Sequence, residues 1–73
     1  MLQFWKKGSE LHVQKGLEWG NDLTCVEGAE MGTYCPLTPE EHLKRGYERI
    51  TFEEAAKMAE IAGYDLYEMY FQE

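Results

Sequence analysis

Two strings, Thr38-Pro39-Glu40-Glu41 and Thr51-Phe52-Glu53-Glu54, each set a threonine three residues before a glutamate. In that spacing the hydroxyl accepts a bond from an amide of the first helical turn. The glutamate reaches back to the threonine amide and complements the positive end of the helix dipole. The pattern predicts two helix starts in the second half of the chain. Pro39 supports the first, since a proline at the first helical position gives up an amide that has no partner there. Leu43 and Tyr47 share one face of this helix, and Gly46 is placed to close it in a left-handed turn. Ile50 continues the same spacing and leaves a longer helix open. The second helix is expected over Phe52 to Ala62, where Phe52, Ala55, Ala56, Ala59 and Ala62 form one stripe and Glu53, Glu54, Lys57 and Glu60 face water. Small residues on a buried stripe let a helix lie close to a sheet, and Gly63 follows where such a helix should end.

The first 28 residues are punctuated by Gly8, Gly16, Gly20 and Gly28, with short runs of strand-forming residues between them. This predicts a β-meander. Leu2 to Lys6 is expected to pair with Glu10 to Gln14, whose alternation puts Leu11 and Val13 on the core face and Glu10, His12 and Gln14 outside. Leu17 to Trp19 and Leu23 to Val26 read as two further short strands, joined by a turn at Gly20-Asn21-Asp22. Gly28 to Leu37 has no periodicity and reads as one long loop. Tyr64 to Phe71 is rich in β formers and is expected as a final strand, with a third helix presenting Leu66, Met69 and Tyr70 inward as the competing reading. The fold class expected is therefore α+β: one small two-layer domain over residues 1–73, with an antiparallel sheet of three to five strands carrying two short helices on one face.

At 73 residues the chain buries only about 60% of its unfolded surface, so its stability is expected to be modest or shared with a partner. A hydrophobic share of 44% is nevertheless enough for a core. Fourteen acidic against seven basic residues give a formal charge of −7. Such a field repels nucleic acid and anionic membranes and favours basic proteins. The acids are also clustered. Between Lys15 and Lys44 lie Glu18, Asp22, Glu27, Glu30, Glu40 and Glu41 with no Lys or Arg, and Glu60, Asp65, Glu68 and Glu73 follow Lys57 unopposed. The bland account of this charge is solubility. No stretch approaches a membrane span or a signal peptide, and two cysteines are too few for a disulfide scaffold, so a cytoplasmic location is expected.

Catalytic chemistry finds little to stand on. His12, Cys25, Cys35 and His42 are the soft metal ligands, but structural zinc sites usually take cysteines two to four residues apart, and these are more widely separated. A Cys25–Cys35 disulfide tying the loop to the sheet is the other possible use; buried or loop thiols are the simpler one. The pairs Glu40-Glu41 and Glu53-Glu54 are accounted for by helix N-termini, and the lone Ser9 sits at a turn. No glycine-rich loop between a strand and a helix is present to cradle phosphate. The reading is of a protein that is not an enzyme and has no cofactor and no metal.

The aromatics and acids suggest a protein-binding surface, where aromatic side chains anchor and charges steer. Its expected members are Trp19, Glu27, Glu30, Tyr34, Tyr64, Asp65, Tyr67, Glu68 and Tyr70, although part of the aromatic set is expected simply to fill the layer between sheet and helices. The function expected is an acidic protein-binding module, most sharply a small intracellular inhibitor of a basic, nucleic-acid-binding protein. In composition alone the chain is similar to short acidic proteins of phages and mobile elements, such as anti-CRISPR and DNA-mimic proteins. The alternative is a structural or regulatory subunit that joins an assembly, or a second copy of itself, through an edge strand.

Overall fold

Gly8 and Gly16 open the first two connections of the chain with φ of 60° and 59°. A positive φ lets a short loop follow the right-handed twist of the strands it joins, and glycine adopts it without a Cβ clash. Around these turns the computed structural model, which describes residues 2–71, forms β1 (Leu2–Lys7), β2 (Glu10–Lys15) and β3 (Trp19–Thr24). Glu73 of the acidic tail lies outside the described residues. All neighbours in the sheet are antiparallel, and the register sets Phe4 opposite Val13 and Leu11 opposite Leu23.

The third strand corrects the expectation of two strands and a turn, because Gly20, Asn21 and Asp22 run through its middle. Their turn-forming chemistry is used across the sheet instead. A Cβ on Gly20 would meet the Tyr34 ring at 2.5 Å, so glycine is what lets that ring lie on the strand. The Asn21 side-chain amide donates to the Gly32 carbonyl at 3.2 Å and accepts from the Tyr70 hydroxyl at 2.9 Å. Both bonds involve the segment expected as loop or as final strand. Within the expected loop lies β4 (Gly32–Tyr34), which pairs with β3 although three residues are too few to show an alternation.

α1 (Pro39–Lys44) starts at a complete capping box: the Thr38 hydroxyl accepts from the Glu41 amide and the Glu41 carboxylate accepts from the Thr38 amide, both at 3.1 Å. Gly46, at φ 88°, then turns the chain away. The helix does not continue to Ile50, because residues 48–50 form β5 (Glu48–Ile50) against β1, giving the sheet order β4-β3-β2-β1-β5. α2 (Phe52–Ile61) follows directly, its Thr51 hydroxyl accepting from the Glu54 amide at 3.2 Å. Gly63, at φ 93°, ends that stretch.

The segment expected as a final strand is a helix, α3 (Leu66–Phe71). Asp65 explains it: its carboxylate accepts from the amides of Tyr67 and Glu68 at 3.0 and 3.3 Å, so the turn is capped where it begins. The β-forming aromatics are spent on packing, with the Tyr67 and Phe71 rings edge-on to Phe52 at 4.6 and 4.7 Å. Of the three residues the helical reading turned inward, Leu66 is buried and Tyr70 half-buried, whereas Met69 is exposed.

The protein is thus a small α+β domain with a five-stranded antiparallel sheet. The two helices that share a face are α2 and α3. Phe4, Leu11, Val13, Leu23 and Ile50 of the sheet pack there with Ala55, Ala59, Ala62 and Leu66. Ala55 and Ala59 have no exposed surface, so the stripe of small residues brings α2 onto β1 and β2. α1 covers part of the opposite face, where its His42 ring lies flat on Trp5. No helix among the described residues is long and apolar enough to cross a membrane.

Candidate functional site

Glu10, His12 and Gln14 were expected to face water, but His12 and Gln14 are buried and Glu10 is half-buried. The alternation itself is right, and the residues do lie opposite Leu11 and Val13. What the local pattern could not contain is the cover: α1, Tyr34 and Tyr47 close over this face from sequence-distant positions. Trp5, directly across from His12 in the β1–β2 register, was the available signal, because so large a ring on a polar face needs something to pack on it.

The cluster is built in layers. Trp5 Nε1 donates to Gln14 Oε1 at 3.2 Å, and Gln14 Nε2 donates to the Gly16 carbonyl at 3.0 Å, so Trp5 is fixed from below. The His42 ring stacks on Trp5 at 4.5 Å with 5° between planes. His42 Nε2 faces His12 Nδ1 at 3.2 Å, and the Tyr47 hydroxyl faces His12 Nε2 at 3.2 Å. The Tyr34 and Tyr47 rings both lie 4.4 Å from the His12 ring. Asp22, across from His12 on β3, and Glu10 complete the rim. The Tyr34 hydroxyl and His42 Nδ1 are buried without a hydrogen-bond partner.

Burial dominates the electrostatics. It pushes the His12 imidazole below its ordinary pKa although Asp22 and Glu10 pull the other way. His42 is lowered for the same reason, and His12 beside it adds to the effect. Burial also lifts the Tyr34 hydroxyl to about 12, with Tyr47 and Asp22 contributing. The Tyr47 hydroxyl is raised by burial and by Glu10. These groups are held neutral at ordinary pH beside two carboxylates.

Of the soft ligands weighed from the sequence, the two histidines meet and the two cysteines do not. Cys25 belongs to the core cluster just after β3, where burial pushes its thiol up, Cys35 is exposed, and both are free thiols. The four-ligand set and the Cys25–Cys35 disulfide are both absent from this arrangement.

The residues expected to bind a partner divide differently. Tyr64, Asp65 and Tyr67 line a groove between α2 and α3, with Glu53 and Glu60 of α2 on its wall and Lys57 as the one basic residue there. Tyr67 is 55% exposed, and Glu68 is exposed on the same short helix. The Tyr64 hydroxyl accepts from the Met31 amide at 3.2 Å, which ties the segment carrying the exposed Glu27 and Glu30 to the turn before α3. Tyr70 is half-buried with its hydroxyl bonded to Asn21. Trp19 is half-buried with the Lys15 ammonium 5.6 Å from its ring, and Tyr34 lies on the opposite face in the histidine cluster. Compared with models of known families, with curated proteins and with solved structures, the chain has no match.

Proposed function

We propose that this chain is a non-enzymatic acidic binding module that engages a basic protein through the groove between α2 and α3. The observation that carries the reading is the composition of that groove, lined by Glu53, Glu60 and Asp65 together with Tyr64 and Tyr67, against Lys57 as its one basic residue. An arginine or lysine entering it gains both an ion pair and an aromatic face, and aromatics paired with charge are what anchor and steer protein contacts. Tyr67 and Phe71, four residues apart on α3, add exposed apolar surface on one side of that helix. In its sharper form the module is an inhibitor, with its carboxylates taking the place of phosphates on a nucleic-acid-binding protein.

The assembly-subunit alternative loses its expected contact, since the segment read as a terminal strand is α3. An edge contact, including one between two copies, would fall on β4 or β5, and each has only three residues to offer.

The test is affinity capture from host lysate by the wild-type protein and by a triple variant, Glu53→Gln, Glu60→Gln, Asp65→Asn. Basic proteins should be retained by the first at low salt and lost by the second. For each captured protein, binding should weaken as salt rises and should compete with its nucleic acid. Retention that ignores both the triple variant and salt would remove the groove as the contact.

A further inference from the structure

On the opposite face of the sheet, independent of the α2–α3 groove, the geometry points to a binding site for a first-row divalent transition cation formed by Glu10, His12 and Asp22. One donor atom from each lies within 4.8 Å of the others. The site is set by strand register: Glu10 and His12 are alternate residues of β2, and Asp22 is the direct partner of His12 on β3. One imidazole nitrogen with two carboxylate oxygens is a donor set that Zn2+ and its neighbours accept.

The surroundings orient all three donors. His12 Nδ1 faces Nε2 of His42, a wholly buried imidazole, at 3.2 Å. A ligating histidine typically donates its second ring N–H to a fixed acceptor, and with that hydrogen on Nδ1 the Nε2 lone pair is left for the Tyr47 hydroxyl or a metal ion. The Tyr47 hydroxyl stands 3.2 Å from this Nε2, and one carboxylate oxygen each of Glu10 and Asp22 lies within 4.8 Å of a His12 ring nitrogen. The Thr24 hydroxyl donates to Glu10 Oε1 at 2.6 Å. Gly32 makes room for the third ligand, since a Cβ there would meet Asp22 Oδ1 at 2.5 Å.

A dication would neutralise two neighbouring half-buried carboxylates and take the Nε2 lone pair from Tyr47. Donor atoms around such an ion are about 3 Å apart, so the two carboxylates must draw in. Three protein ligands leave coordination open to water. The consequence is structural: the ion joins β2 to β3 and, through His12 and His42, to α1.

The experiment uses the full chain carrying Cys35→Ser, which removes the exposed thiol as a competing ligand. Zn2+ is titrated by calorimetry and Co2+ by visible absorption at about pH 7.5, where an ordinary imidazole is neutral. One equivalent should bind, the His12 ring signals should shift in NMR spectra, and the melting temperature should rise. Asp22→Asn and Glu10→Gln, which keep side-chain size and are checked for folding by circular dichroism, should each weaken binding by about tenfold or more. Tyr47→Phe should retain it, because the hydroxyl only competes for Nε2. No binding at millimolar metal, or an affinity that neither carboxylate variant changes, would overturn the assignment.

Discussion

His12 and His42 face each other through one nitrogen apiece, and a 3.2 Å contact of this kind holds one hydrogen, not two. The pair is therefore compatible with neutral imidazoles and is broken when both carry charge. Burial holds both below the ordinary histidine pKa, so the unfolded chain takes up protons before the folded one does. Stability from the pair is fully present above about pH 6.5 and is lost as pH falls from there through the lower folded-state values. Urea midpoints of metal-free protein should be level from pH 8 to 7 and should begin to drop as pH falls below about 6.5. His42→Gln, which cannot take the proton, should reduce that drop and leave the part due to buried His12. Unchanged midpoints over that range would mean that the pair is accessible to water and costs nothing to charge.

Element by element, the caps decide where the helices begin. Thr38 satisfies two orphan groups with its box, while Thr51 accepts one bond at a helix held down by a buried alanine stripe. Thr38→Ala should cost about 1 kcal/mol in chemical denaturation. It should also perturb the His42 and Trp5 ring signals, because the cap fixes the start of the six-residue helix that carries His42 onto Trp5. Thr51→Ala should cost a similar amount without disturbing those rings. Both helix starts were legible in the sequence because a cap is made by residues three apart. α3 was legible only as the competing reading of its segment although Asp65 and Glu68 repeat the same three-residue spacing, because the aromatic content of 64–71 outweighed it. β3 was missed for the opposite reason: glycine, asparagine and aspartate form turns when alone, but here their partners are Tyr34, Tyr70 and Gly32, all far along the chain. The histidine cluster was illegible on the same ground, since His12 and His42 are thirty residues apart and each looks local and polar by itself. The aromatic crowding at 64–71 was legible, but the groove was not, because its second wall is α2.

Across the whole molecule, a charge of −7 on so few residues repels itself, and among the described residues Lys6–Glu48, at 3.6 Å, is the one ion pair. Added sodium chloride should therefore stabilise the free protein, by about 1 kcal/mol or 4–8 °C in Tm, while weakening its hold on a basic partner. Thermal melts at increasing salt, set beside affinities at the same salts, give the two slopes; a melting point that falls with salt would contradict the self-repulsion. The sheet order carries a different consequence, one of timing. β1, β2 and β3 are joined by loops of two or three residues and can zip together as soon as they collapse, whereas β5 reaches β1 by pairing Ile50 with Phe4 across most of the chain. Closing that long loop is slow and entropically costly until a surface exists to receive it. The strand that completes the sheet also leads directly into α2, so the covers of both faces come from the second half of the chain. Without that half, the apolar row of Phe4, Leu11, Val13 and Leu23 has nothing of its own chain to bury it.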